Sequence, residues 1–158
     1  MLTNWKVFTF KKLIFDYLKL IYGVLLTFTP AAADTILSYF KDTNTFPSDY
    51  DMIYTGDLGS IGTELLYKLL ELEGINLRGK HKDCGNMIFD VDTQDVHAGG
   101  SGCGCSASVL TTHIMKNLNN KHLKNILFCA TGALMSPTST QQGQSIPCIA
   151  HIINIISE

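Results

Sequence analysis

The sequence predicts an α/β domain: a mixed sheet covered by helices. Three observations carry this. Short apolar runs at 52–55 and 126–130 have the length of buried strands. Between them, Leu58, Ile61, Leu65, Leu69 and Leu72 recur at steps of three or four, the period of one helix face. A glycine-rich turn, Gly99 to Ser106, then leads into another apolar helical pattern with Leu110, Ile114 and Leu118 on one side. Strands alternating with helices of this length belong to layered α/β architectures.

The elements follow in order. Met1 to Phe28 is rich in aromatic and β-branched residues and has no clear period. Pro30 is predicted to open a helix, where its missing N–H costs nothing, with Thr29 as cap and Ile36, Leu37 and Phe40 as the apolar face. Asp42 to Tyr50, with Pro47, reads as a loop, and Met52 to Thr55 as a strand. Gly56 to Gly59 turns the chain into the leucine-rich helix, which Gly74 stops. Asn76 to Asp83 reads as an exposed loop, Met87 to Val91 as a strand, and Asp92 to Gly104 as a turn-rich connection. A helix is expected over Cys105 to Leu118, with Lys116 favouring its C-terminal end, and a strand over Ile126 to Ala130. Thr131 to Pro147 reads as a loop. Ile149 to Ile156 reads as the last strand, although His151 and Asn154, three apart, also suit a helix.

A chain of 158 residues suits one domain. At that size folding hides roughly two-thirds of the unfolded surface. Net charge is −2 with no dense basic stripe, which argues against nucleic acid as a partner. The five cysteines are odd in number, and Cys129 lies in an apolar run, so a reducing compartment is expected rather than a disulfide framework. Lys6, Lys11 and Lys12 before Leu13–Phe28, with Ala31–Ala33 after it, imitate a secretory leader. Asp16 and Lys19 interrupt that stretch, and Leu20 to Phe28 is too short to span a bilayer. A partly buried helix or strand pair is the expectation there, with no signal peptide or transmembrane helix.

The glycine-rich turn is the main candidate for function. Gly99, Gly100, Gly102 and Gly104 remove side chains from a turn that opens a helix, so a ligand can approach backbone N–H groups carrying partial positive charge. Tight helix-on-sheet packing demands the same small residues, and both readings stand. The spacing is neither a dinucleotide fingerprint nor a P-loop. Cys84, His97, Cys103 and Cys105 contain metal-ligand types, but a lone C-x-C is not structural zinc spacing, and no metal or other cofactor is expected. Cys103, Cys105 or Cys148 beside His97 or His151 would be the ingredients of nucleophilic catalysis. Asp57, between a strand and a helix, stands where α/β sheets face their ligands, or caps the helix. The hydroxyls and amides of the Thr131–Pro147 loop can hydrogen-bond a polar ligand but supply no general acid or base.

Four motifs then occur together: Thr29-Pro30-Ala31-Ala32-Ala33-Asp34-Thr35-Ile36, Tyr54-Thr55-Gly56-Asp57-Leu58-Gly59, Gln94-Asp95-Val96-His97-Ala98-Gly99-Gly100-Ser101-Gly102-Cys103-Gly104-Cys105-Ser106, and Ala130-Thr131-Gly132-Ala133-Leu134-Met135-Ser136-Pro137-Thr138-Ser139. In this order they resemble the C-terminal half of the stage V sporulation protein AD family, itself similar to the thiolase and ketoacyl-synthase superfamily. The resemblance implies a thiolase-like fold of two similar halves, the nucleophilic cysteine of the condensing enzymes lying in the N-terminal half. Those enzymes place a histidine where this chain has Asp57, and a second histidine or an asparagine near His97. An aspartate cannot replace the imidazole donor, so the resemblance implies a protein that is not an enzyme, with an acyltransferase or ketoacyl-synthase-like fragment as the alternative.

The family resemblance further implies dipicolinic acid as ligand, partnership with other proteins of the same sporulation operon, and a place at the spore inner membrane during uptake. The expected ligand-binding residues are Asp57, His97, Gly99, Gly100, Ser101, Gly102, Cys103 and Ser106. Residues 1–28 depart from the family pattern, apart from a faint match at Asn4-Trp5-Lys6-Val7, and 29–158 carry the thiolase-like C-terminal domain. The expectation is a truncated or frameshifted product, or half of a split gene. The partner of its exposed face would then be the N-terminal half or a second copy.

Overall fold

The computed structural model describes residues 25–90, 92–133, 138, 141–142 and 148–157, with side chains from Phe28 onward. It is an α/β structure built on a four-stranded mixed sheet in the order β2-β1-β3-β4. Helix α1 is Leu25–Thr43. Strand β1 is Met52–Thr55, α2 Gly59–Glu71, β2 His81–Asp83 and α3 Cys84–Met87. A helical run follows: α4 over Cys105–Val109, a π-helical turn over Leu110–Ile114, and α5 over Met115–Asn119. Strands β3, Asn125–Ala133, and β4, Cys148–Ile156, complete the sheet. β1 is parallel to both β2 and β3, and β4 runs antiparallel to β3.

Alternation along the strands makes two cores. Ile53, Leu127 and Cys129 face α1 and α2, packing with Ala32, Ile36, Phe40, Leu66 and Leu70. Tyr54, Ile126 and Phe128 face the opposite way, against Cys105, Val109, Ile114 and Leu118 of the second helical run. Each large apolar side chain buried this way contributes about 1.5–3 kcal/mol relative to exposure. Winding reverses at β1: the chain leaves toward β2 on one side and returns to β3 on the other. In sheets of this kind such a reversal opens a crevice beyond the strand C-termini.

Several expectations are corrected. Helix α1 begins before Pro30, which lies inside it. Thr29 is fully buried and does not cap; its hydroxyl donates across to the Gly62 carbonyl at 3.4 Å. The buried face of α2 is Gly62, Thr63, Leu66 and Leu70, while Leu72 is 71% exposed and Ile61 40%. Small residues, not the leucine count, decide which side lies against α1. Of the expected strand at Met87–Val91, the described residues 87–90 hold the end of α3 and a bend, and Val91 lies outside the described residues; the second strand is His81–Asp83, inside the expected loop. Its inward residues are polar, so a hydropathy pattern does not show it.

The expected helix at Cys105–Leu118 is present, but widened by the π-turn. There Thr111 and Thr112 donate their hydroxyls to the carbonyls of Ala107 and Ser108 at 2.9 and 2.6 Å. The last segment is a strand: it pairs with β3 from Cys148↔Ala133 to Ile156↔Asn125. Thr131 belongs to β3 rather than to the loop after it. Nearly all of the expected N-terminal segment, and most of the loop from Leu134 to Pro147, lie outside the described residues. Among the described residues no helix is long and apolar enough to cross a membrane.

Candidate functional site

Asp57 follows β1 and Thr131 lies near the end of β3, side by side at the end of the sheet where the winding reverses. The Thr131 hydroxyl donates to Asp57 Oδ1 at 2.7 Å and accepts the Asp57 amide at 3.1 Å. This close approach needs Gly56, since a Cβ there would collide with Thr131 Oγ1. Asp57 Oδ2 accepts the Ser101 hydroxyl at 3.0 Å and the Gly102 amide at 3.2 Å. The carboxylate is 8% exposed and spent on three donors. It caps nothing and ties the glycine-rich turn to the end of the sheet.

The turn itself is held from beneath. The Gly100 amide donates to the Gly85 carbonyl at 2.7 Å, and Gly99 donates to Val96. A Cβ on Gly85 would meet the Gly100 carbonyl, and Gly99 and Gly102 have φ of 112° and 127°. Gly100 is buried under Ile88 and Phe89. Packing therefore explains Gly99 and Gly100. It does not explain Gly102 and Gly104, whose missing side chains face open space. Gly104 is the N-terminal flanking residue of α4, as expected, and Ser101, Gly102, Cys103 and Gly104 are all exposed. Among the described residues, the amides of Ser101, Cys103 and Gly104 have no hydrogen-bond partner. Unpaired amides at a helix start form a positive concavity suited to an anion.

The other expected site residues are placed differently. Ser106 is half-buried in the first turn of α4. The His97 side chain is 90% exposed, has φ 49°, and lies 3.5 Å from Asp95; no contact joins it to Asp57. Cys84 and Cys105 are buried in one core while Cys103 is exposed, and no group of three or more metal-ligating side chains is gathered among the described residues. Burial pushes the Cys84 and Cys129 thiols up to about 12, and raises Cys105 as well.

Beside the site lies a residue that the sequence reading passed over. Asp83, 2% exposed at the end of β2, accepts the Leu58 amide on Oδ2 and the Gly59 amide on Oδ1, both at 2.9 Å. The Thr55 hydroxyl donates to Oδ2 at 2.6 Å. Burial pushes this carboxyl above its usual range, and the hydrogen bonds it accepts pull the other way. The only sequence signal for it is the alternation His81-x-Asp83 after a glycine turn, too short to stand out.

The family model described as stage V sporulation protein AD matches residues 23–156. Stage V sporulation protein AD of Bacillus subtilis (strain 168) is 50% identical over 122 residues, covering 77% of this chain and 36% of that protein. The chain thus spans about a third of the length of the curated relative it matches. The match runs through both cores, the Asp57–Thr131 pair and the whole glycine-rich turn. The chain belongs to the stage V sporulation protein AD family.

Proposed function

We propose that this chain is a non-enzymatic binding component for dipicolinic acid, acting with other proteins of its sporulation operon, at the spore inner membrane, in uptake of that acid into the developing spore. The observation that supports the reading is the exposed turn with unpaired amides at Ser101, Cys103 and Gly104 at the start of a helix. A small planar dicarboxylate suits such donors. With about a third of its relative's length present, this turn is one wall of the pocket, and the opposite wall comes from the rest of the longer protein.

Acyl transfer is the less favoured chemistry. The group at the superfamily's histidine position must donate toward a thioester oxygen, whereas the Asp57 carboxylate accepts from three donors already. The buried thiols, at about 12 for Cys84 and Cys129, are poor nucleophiles. Calorimetry tests the proposal: dipicolinate titrated into the chain, alone and mixed with the rest of the longer protein, for wild type and Gly102→Val. Valine is strained at φ 127° and should abolish the heat. Absence of heat from folded wild type in both settings overturns the reading.

A further inference from the structure

We propose that Asp83 is the positioning residue of the glycine-turn site, and that a buried Tyr67–His81–Thr55 hydrogen-bond chain holds it in place; the ligand part of this inference rests on the dipicolinate reading above. The chain has one direction. The Thr55 hydroxyl and the Leu58 and Gly59 amides all donate to the Asp83 carboxylate, which as an ion accepts only. The Thr55 proton is therefore spent on Asp83, and Thr55 Oγ1 must accept from His81 Nε2, 2.9 Å away. That fixes His81 as the Nε2–H tautomer, leaving Nδ1 to accept the Tyr67 hydroxyl at 3.1 Å. The Tyr67 ring stands edge-on to the imidazole, and the Arg78 guanidinium lies 4.6 Å over that ring's centroid. Burial drives His81 down to about 4, so it stays neutral in this role at neutral pH.

Asp83 reaches both partners of the Asp57 contact. Leu58 and Gly59, whose amides it holds, are the residues directly after Asp57. Gly85, two residues after Asp83, offers its carbonyl to Gly100 in the glycine-rich turn. Gly85 lies so close that a Cβ on it would be 3.3 Å from Asp57 Cα and 2.9 Å from Asp83 Oδ1. One carboxylate therefore sets the spacing across which Asp57 grips Ser101 and Gly102.

The test compares Thr55→Val with Thr55→Ser in the full chain. Valine keeps the shape and removes the hydroxyl; serine keeps the hydroxyl and removes a methyl. A positioning role predicts that Thr55→Ser retains the wild-type amide proton shifts of Leu58, Gly59, Ser101 and Gly102, while Thr55→Val moves all four. It also predicts about tenfold weaker dipicolinate binding for the valine variant alone, since serine keeps both hydrogen bonds that the Thr55 hydroxyl makes and valine loses both. A packing role predicts the reverse order, and that result, or four unmoved amides in both variants, overturns the proposal. Should Thr55→Val fail to fold, nitrogen shifts of His81 decide: the Nε2–H tautomer in wild type, kept in Tyr67→Phe because Thr55 still accepts from Nε2, supports the chain, and Nδ1–H in wild type or a mixture in Tyr67→Phe overturns it. Wild type that gives no heat with dipicolinate ends the binding reading, while the ligand-free shifts still decide the role of Asp83.

Discussion

Thr131 and Asp57 are joined by two hydrogen bonds in opposite senses: the hydroxyl donates to the carboxylate at 2.7 Å and accepts the Asp57 amide at 3.1 Å. The pair ties the ends of two parallel neighbours, β1 and β3, where the winding of the sheet reverses. Thr131→Val should destabilise the chain by about 1–3 kcal/mol, because a nearly buried carboxylate oxygen and an amide both lose their partner. Thr131→Ser should restore most of it. Urea unfolding of the three proteins is the check, and a valine variant within 0.5 kcal/mol of wild type would remove the pair from the account.

The glycines divide by what surrounds them. Gly85→Ala places a methyl against the Gly100 carbonyl and 2.9 Å from Asp83 Oδ1, both fixed by hydrogen bonds. A cost of about 1–3 kcal/mol is expected, with the glycine-rich turn displaced. Gly132→Ala is the comparison, since its Cβ would meet Ile149 Cγ2 at an ordinary 3.7 Å. That variant should equal or exceed wild type by about 0.5 kcal/mol. Thermal melts of both variants test the contrast, and equal losses at the two positions would contradict it.

What the sequence could not convey has a common cause in these examples. The strands at Met52–Thr55 and Asn125–Ala133 were legible because their buried residues are apolar. Strand His81–Asp83 was not, because its buried residues are a histidine and an aspartate satisfied by side chains distant in sequence: Tyr67, Thr55 and the turn at Leu58. The face of α2 was misplaced for a related reason. Gly62 and Thr63 carry no weight on a hydropathy scale, yet both are buried, Gly62 accepting the Thr29 hydroxyl of α1 and Thr63 the Asn86 amide. The glycine-rich turn and its helix were legible from composition, and so was the place of Asp57 between a strand and a helix. Its role was not: a carboxylate at a strand end can face a ligand, cap a helix or tie a loop, and only the positions of Ser101, Gly102 and Thr131 distinguish these.

His81 makes stability depend on pH in one direction. Its folded pKa, about 4, lies below the ordinary 6.5, so the unfolded chain takes up a proton that the folded chain refuses. Stability from this group is fully present above about pH 6.5 and is lost as pH falls toward 4. The loss amounts to about 3 kcal/mol over that window. Urea unfolding of wild type between pH 7 and 4 should therefore fall more steeply than that of His81→Gln, whose amide does not titrate. Parallel slopes would show that His81 takes up its proton in the folded state.

Cys103 is the sentinel for the turn. It is exposed beside the unpaired amides, whereas Cys84, Cys105 and Cys129 are buried with thiols shifted up, Cys84 and Cys129 to about 12. A thiol reagent such as a disulfide-exchange chromophore reacts with thiolate that it can reach. In a Cys148→Ser background, which removes the half-buried fifth thiol, Cys103 should therefore label in a fast phase that Cys103→Ser abolishes, and the three buried cysteines should label only on unfolding. An anion seated on the Ser101, Cys103 and Gly104 amides would cover the same sulfur. Dipicolinate, added to the chain with the rest of the longer protein, should then slow the fast phase in proportion to occupancy and leave the slow phase unchanged. Protection of the slow phase alone would point to general stabilisation elsewhere, and would place the ligand away from the turn.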